Sequence, residues 1–180
     1  MLFRSAMVSS IPHVDVYSLS CSEEADALVF AAIENFAKDR KAGKVPNSSI
    51  FFLGRENFPK TYVAGATYDL KKAQILADTT AGKAKSVVIS TTGSLVPQAL
   101  EAAKQLEGKG VGAVVVNCAC ANHVDVATMK SALAKAQGRL ITVEDHQVIG
   151  GFGQMLSHAL LQDRKSTRLN SSHTDISRMP

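Results

Sequence analysis

Apolar and polar residues follow a strand-like pattern and then a helical pattern in the first part of the chain. Residues 13–19 alternate apolar and polar side chains, which predicts a β-strand. Ser20, with Glu23 three residues later, has the sequence of a capping box, and helical spacing of apolar residues continues up to Lys38. Residues 49–54 form a short apolar run, typical of a parallel strand covered on both faces. We therefore predict one βαβ unit here.

A regular alternation of strands and helices begins at Ser86. Before it, residues 55–78 contain Pro59, Gly65 and weak periodicity, which is typical of a connection between domains. After it, the pattern predicts strands at 87–90, 113–117 and 140–144 and helices at 95–105, 126–136 and 153–161. Right-handed crossovers between such strands give a three-layer α/β/α domain with a mostly parallel sheet. We expect this α/β domain to be preceded by a partial second α/β domain.

Four segments follow from these patterns. Residues 1–60 form an incomplete α/β domain, 61–80 an interdomain linker, 81–162 the second domain and 163–180 a disordered tail. The tail contains DRKSTRLNSSH, which resembles the conceptual translation of a short-read sequencing adapter. We therefore predict that the tail is non-native. We also expect Met1 to be internal to a longer chain, because domains rarely open on a loop that leads straight into an edge strand.

Composition and charge exclude several classes of protein. The 180 residues are 46% hydrophobic and 20% charged, as in a soluble fold. No apolar run approaches the roughly 18 residues that span a bilayer, and no signal peptide is evident, so we expect a cytoplasmic protein without a membrane segment. The segment from Asp163 onward contains four basic and two acidic residues, and this excess of two positive charges is half of the net charge of +4. The remaining charge forms no basic stripe, so we predict no nucleic-acid partner.

Candidate functional residues follow the predicted strands, where ligands gather in open α/β sheets. Arg55 comes directly after the strand at 49–54, and its planar guanidinium suits a phosphate group, although a surface ion pair is the alternative. Glu144, Asp145 and His146 lead into Gly-Gly-Phe-Gly at 150–153, which suggests acid/base work or an anion held at a helix start. The alternative, which we favour, is that these glycines allow close packing.

The remaining reactive side chains carry weaker signals. Cys118 and Cys120 are too close for an easy disulfide and lack a second pair for a metal, so we expect buried small apolar residues. His13, His123 and His158 have no ligand-like spacing. No nucleophile elbow, zinc-protease helix or phosphate-binding loop motif is present in the sequence.

Several motifs in order resemble the transketolase family. They are MLFRS at the start, GRENFP at 54–59, KKAQIL at 71–76, the segment 87–117 and GRLITVEDHQVIGGFG at 138–153. The resemblance covers roughly residues 1–162 and runs from late in the pyrimidine-binding domain, at 1–60, into the transketolase C-terminal domain, at 81–162. The resemblance implies that the second domain ends before the final strand and helix of that family.

The resemblance implies an enzyme that transfers a two-carbon ketol unit between sugar phosphates with thiamine diphosphate and Mg²⁺. Arg55 matches the family's arginine that holds the sugar phosphate. The family's metal motif, activating glutamate and substrate-contacting histidines and aspartate would precede Met1, so we expect no catalytic, cofactor or metal residue in this chain. We expect a homodimer in the full-length enzyme, and no activity or cofactor binding from this chain alone.

Two alternatives stay open. The superfamily also includes 1-deoxyxylulose-5-phosphate synthase and the beta subunits of 2-oxo acid dehydrogenases, although VEDH at 143–146 and the arginine in GRENFP favour transketolase. The second alternative is that the chain is a stand-alone, non-catalytic α/β module that binds an anion or a partner protein at the glycine-rich turn.

Resequencing the locus tests the origin of the tail. We expect the native reading frame to depart from the printed sequence near Gln162, because the adapter-like segment begins at Asp163. A native transcript that encodes residues 163–180 would contradict this prediction.

Overall fold

The structure, a computed structural model, describes residues 4–54, 57–162 and 170–171. The first unit consists of α1 (Arg4–Ser9), β1 (Val14–Ser18), α2 (Ser22–Lys41) and β2 (Ser48–Phe52). β1 and β2 pair in parallel, and α2 connects them. This arrangement confirms the predicted βαβ unit, and α1 is an addition that the pattern did not reveal.

The second unit is a five-stranded sheet with helices on both faces. It contains β3 (Gln74–Asp78), β4 (Lys85–Thr91), α3 (Val96–Gly108), β5 (Val111–Asn117), α4 (Val126–Lys135), β6 (Arg139–Val143), α5 (Phe152–Gln162) and β7 (Asn170–Ser171). The strand order is β3-β5-β4-β6-β7. β4 is parallel to β5 and β6, and β6 is parallel to β7. The predicted α/β class and mostly parallel sheet are confirmed. In contrast, β7 lies within the segment 163–180 that the sequence predicted to be disordered.

The core of the second unit has two halves because side chains alternate across β5. Val114 and Val116 pack with residues of α4 and α5 on one face. Ala113 and Val115 pack with residues of α3 on the other. All four are fully buried, so the sheet is the middle of three layers.

Two local predictions differ from the structure. The predicted linker at 61–80 contains β3, which is antiparallel to β5 and has a register shift between Ile75 and Ala77. Such a shift breaks the two-residue alternation by which a strand is recognised in a sequence. The predicted capping box is also wrong in its partner, because Ser20 binds Glu24 rather than Glu23, and Cys21 occupies the N-cap of α2.

The two units join through the free edge of β1. The Ser18 N–H donates to Ala119 O at 2.8 Å, and the Ala121 N–H donates to Val16 O at 2.7 Å. The Asn122 side chain continues this pairing by accepting from the Val16 N–H at 3.0 Å and donating to the Val14 carbonyl at 2.7 Å. The segment that follows β5 therefore satisfies the backbone of β1 much as a neighbouring strand would.

A buried polar cluster lies beside this junction. Glu24, 1% exposed, accepts hydrogen bonds from the Ser20 N–H at 2.7 Å and the Ser20 hydroxyl at 2.8 Å. Its other oxygen accepts from Asn117 Nδ2 at 2.7 Å, across the boundary between the units. Burial raises the pKa of Glu24, and the hydrogen bonds from Ser20 and Asn117 oppose that rise without cancelling it.

Glu24→Gln tests this cluster through the pH dependence of stability. A carboxyl with a higher pKa in the folded state stabilises most below its unfolded pKa and loses that contribution as the pH rises through the folded pKa. We therefore expect the stability of the wild type relative to Glu24→Gln to fall as the pH rises from about 4.5 towards neutrality. Urea unfolding at several pH values measures this difference.

The matched control is Glu23→Gln, which changes the neighbouring carboxylate that pairs with the exposed Lys60. It is expected to leave the pH profile nearly parallel to that of the wild type, because exposed ion pairs contribute little. A wild type that gains stability over Glu24→Gln as the pH rises would contradict the interpretation of Glu24.

Candidate functional site

The carboxyl ends of β4 and β6 lie side by side and open towards the first unit. β4 is the central strand, with β5 on one side and β6 on the other, so the connections that leave β4 and β6 diverge. Such a switch point is where open α/β sheets form a crevice. Thr92 and Ser94 follow β4 there, and Glu144 follows β6.

A cavity occupies this crevice. It has about 690 Å³ between its walls, including its open mouth. We call it the interdomain cavity, since residues of both units line it: Ser9, Val16, Ser18, Phe52, Thr92, Ser94, Ala121, Glu144, Asp145, His146, Gly150, Phe152 and Met155. Its position, at the carboxyl ends of the strands, is where ligands of open α/β sheets bind.

Glu144 is bound to the start of α5. One carboxylate oxygen accepts from the Phe152 N–H at 2.6 Å, and the other accepts from the Gly153 N–H at 2.8 Å. These backbone groups have no partner within the helix and carry the positive end of its dipole. The place where the sequence suggested an external anion is therefore filled by a carboxylate of the chain itself.

The glycines around this carboxylate are required by close approach. A Cβ atom at Gly153 would lie 2.6 Å from Thr142 Oγ1 and 3.0 Å from Glu144 Oε1. A Cβ atom at Gly151 would collide with the Gln147 carbonyl and lie 2.7 Å from Glu144 Oε2. The close-packing interpretation of the Gly-Gly-Phe-Gly segment agrees with these distances, and the packing is between the glycines and Glu144.

Asp145 and His146 line the interdomain cavity as Glu144 does, but they make no hydrogen bond to the start of α5. The His146 ring donates from Nδ1 to the Gln147 carbonyl at 2.9 Å. Its Nε2 atom is buried and has no hydrogen-bond partner among the described residues. All three residues that the sequence grouped as acid/base candidates therefore line the cavity, and one of them, Glu144, also caps α5.

The other candidates do not converge on the cavity. Cys118 and Cys120 are free and buried, and burial raises the pKa of Cys118 to about 12 and that of Cys120 to about 11. Both thiols are thus protonated at neutral pH, which suits the role of small buried residues. His13 lies at 3.2 Å from the Asn47 side chain, and His158 at 2.8 Å from Gln162. His123 is exposed.

Arg55 lies outside the described residues, so its predicted contact with phosphate stays a prediction. The last residue of β2, Phe52, lines the interdomain cavity three positions earlier. Sequence reasoning missed Ser18 and Ser94 as cavity residues. Ser18 lies inside the strand predicted at 13–19, and Ser94 lies four residues after the strand predicted at 87–90, so neither occupied the position directly after a strand that the sequence pattern singles out.

Within residues 4–54, 57–162 and 170–171, no group of three or more His, Cys, Asp or Glu side chains is arranged to hold a metal ion. Among the helices in the same ranges, none combines the length and apolarity that crossing a membrane requires.

Curated relatives point to one group of enzymes. A transketolase C-terminal section from Methanocaldococcus jannaschii is 31% identical over 104 residues, which is 58% of this chain and 30% of that protein. The 1-deoxy-D-xylulose-5-phosphate synthase of Halothermothrix orenii is 26% identical over 155 residues, or 86% of this chain and 22% of that enzyme. The chain thus spans less than a third of the length of these relatives.

The fold agrees with a solved structure across both units. A split-gene transketolase, described as an inactive beta4 tetramer, superposes with a TM-score of 0.70 and 25% identity. The match covers 88% of this chain and 47% of that chain. Because 88% of this chain is more than the second unit alone contains, the likeness extends into the βαβ unit.

The family model for the transketolase C-terminal domain matches residues 78–179. This range covers the sheet from the end of β3 onward and reaches into the residues predicted to be non-native. It accounts for more than half of the chain. The chain therefore belongs to the transketolase C-terminal domain family.

Proposed function

We propose that this chain is the C-terminal part of a thiamine-diphosphate-dependent transketolase, which transfers a two-carbon ketol unit between sugar phosphates. The observation that carries the proposal is the likeness of both units to the split-gene transketolase. A fold shared by many reactions does not by itself identify one. The motif VEDH and the arginine at position 55 favour transketolase over the other members of the superfamily.

Arg55 is proposed to bind the phosphate end of the sugar. It follows β2 by three residues, beyond the carboxyl end of a parallel strand, where ligands of α/β sheets bind. A guanidinium offers paired donors to phosphate oxygens and stays charged at every working pH. We propose no part for Arg55 in proton transfer.

The cofactor site is proposed to lie in the part of the enzyme that this chain does not contain. The described residues provide no cluster of ligands for Mg²⁺, and the N–H groups at the start of α5 are bound to Glu144 rather than free for a diphosphate. When bound, thiamine diphosphate supplies the carbanion and the electron sink of ketol transfer. The residues described here supply neither, so we propose that the chain alone is inactive.

The surface of the first unit supports a partner of the same enzyme. Phe30, Ile33 and Phe36 of α2 are 63%, 61% and 43% exposed, at a spacing that places them on neighbouring turns. Within the described chain, β2 pairs only with β1. A parallel strand with one unpaired edge beside an exposed apolar helix suits burial against further strands and helices. We propose that the rest of the enzyme covers this surface in a homodimer in the cytoplasm.

A second candidate function is favoured by the likeness to 1-deoxy-D-xylulose-5-phosphate synthase. That match covers 86% of this chain at an identity close to that of the split-gene transketolase. Product analysis of the assembled enzyme separates the two candidates. Release of 1-deoxy-D-xylulose 5-phosphate identifies the synthase. Conversion of an aldose phosphate into a ketose phosphate with two more carbons identifies transketolase.

Assembly with the upstream polypeptide tests the proposed function. We expect the chain alone to show neither ketol transfer nor heat of binding with thiamine diphosphate and Mg²⁺ in calorimetry. Co-expression with the polypeptide encoded upstream of Met1 is expected to yield a complex that binds the cofactor and transfers ketol units. Tight cofactor binding by the chain alone, or a complex that binds the cofactor without any transfer, would overturn the proposal.

Arg55→Gln tests phosphate recognition in that complex. We expect kcat/KM for the sugar phosphate to fall by about 10- to 100-fold, because one charge-assisted pair with phosphate contributes about 1.5–3 kcal/mol. The fall should appear mainly in KM, since the phosphate lies away from the reacting carbons. The matched control is Arg40→Gln, at an exposed position near the end of α2. Equal kinetics for the two variants would contradict a role for Arg55.

A further inference from the structure

α2 carries a stripe of side chains on the side of the helix opposite its buried face. Glu24 and Leu28 are buried, and Leu28 packs with Tyr17 in a core shared by both units. Six positions on the opposite side are three and four residues apart in turn, and we call them the α2 stripe: Glu23, Asp26, Phe30, Ile33, Ala37 and Arg40. All of them are exposed except Glu23, which is half-buried. In the described chain this side of α2 is therefore open to a partner.

The order of charges along the α2 stripe matches the same order reversed. The stripe begins with two acidic residues, continues with apolar side chains and ends at Arg40, with Lys41 beside it. Two such helices in opposite directions bring Phe30 against Ile33 and Glu23 against Arg40, since both pairs are symmetric about the middle of the stripe. In the same direction, like charges would meet at both ends. The stripe is therefore complementary to a second copy of itself in the antiparallel arrangement only.

We propose that two copies of this chain pair through the α2 stripe, with their α2 helices antiparallel about a two-fold axis. This inference rests on the homodimer proposed above and names the helix through which its copies meet. Each copy contributes the same stripe, so the contact is isologous and closes after two chains instead of continuing into a filament.

The centre of the proposed contact is apolar. Phe30 and Ile33 are 63% and 61% exposed in one chain, and pairing of the helices removes water from both side chains of each copy. Their spacing of three residues places them in adjacent layers of a coiled-coil seam, where each side chain packs between residues of the facing helix. From Glu23 to Arg40 the seam is about 26 Å long. A seam of this size predicts a reversible dimer with a Kd on the order of tens of micromolar.

The ends of the proposed contact carry opposite charges. Glu23 of one copy lies beside Arg40 and Lys41 of the other, and Asp26 faces the same basic end from one turn further along. Glu23 pairs with Lys60 Nζ at 3.5 Å within one chain, but the Lys60 side chain is 82% exposed, and such a pair contributes little. It does not prevent a second pair across the dimer. Charges at the rim of an interface select the partner and its orientation more than they raise affinity.

The remaining open surface of the first unit suits a different partner. Phe36 lies to one side of the α2 stripe, and β2 has an edge without a strand partner in the described chain. A sheet edge is covered by another strand, which the α2 helix of a second copy does not supply. The upstream polypeptide and the second copy are therefore expected to cover different surfaces of this unit.

Sedimentation velocity of the full chain, at concentrations on both sides of the expected Kd, tests the pairing. We expect a reversible equilibrium between monomer and dimer, and we expect Phe30→Gln to weaken the dimer at least about tenfold, because it places an amide in the apolar centre. The matched control is Ile149→Gln, the same kind of change at a side chain that is 78% exposed and lies outside α2. A chain that stays monomeric, or self-association that Phe30→Gln leaves unchanged, would overturn the proposal.

A charge exchange tests the antiparallel direction. The double variant Glu23→Lys with Asp26→Lys has a stripe that is basic at both ends, and Arg40→Glu with Lys41→Glu has one that is acidic at both ends. Each is expected to self-associate more weakly than the wild type, and their equimolar mixture is expected to form dimers. Circular dichroism checks that each variant is folded. Self-association of either folded variant as strong as that of the wild type contradicts the antiparallel contact.

Binding of the upstream polypeptide separates this inference from the proposed function. If Phe30→Gln prevents that binding but leaves self-association of the chain unchanged, the α2 stripe belongs to the upstream polypeptide and the inference is wrong. If the dimer depends on Phe30 while the assembled complex shows no ketol transfer, the inference stands and only the proposed function fails.

Discussion

The pairing of β1 with the segment 119–122 is the interaction on which the rest of the molecule depends. A sheet of two strands is marginally stable by itself, and β1 and β2 have no third strand among the described residues. The backbone bonds from Ser18 to Ala119 and from Ala121 to Val16 attach this small sheet to the larger one. The buried contacts of Tyr17 with Cys120 and its neighbours then form a core that belongs to both units.

This attachment also determines where chemistry is available. It brings the carboxyl ends of β1 and β2 against those of β4 and β6, so that Ser18 and Phe52 face residues 144–146 across the interdomain cavity. It also seals Glu24 and Asn117 away from water on the other side of the junction. The same junction therefore contains one polar cluster satisfied largely by the protein and one set of polar groups that the protein leaves open.

The sequence predicted what depends on local periodicity and missed what depends on distant contacts. The strands and helices from β4 to α5 were predictable because apolar residues recur about every two residues in a strand and about every 3.6 residues in a helix. β3 was not, since the register shift beside Ile75 interrupts its alternation. The bond from Asn117 to Glu24 joins residues 93 positions apart, and no local pattern records it. The sequence indicated Glu144 as a candidate acid/base residue, but its hydrogen bond from the Gly153 N–H is apparent only in three dimensions.

The carboxylate of Glu144 has a consequence for any anion that approaches α5. Because it is tethered nine residues from the Gly153 N–H, it competes at an effective local concentration that a diffusing phosphate does not reach. The start of α5 is thus occupied by a carboxylate of the chain itself. The same two hydrogen bonds that keep an external anion from this helix start also hold α5 to the end of β6.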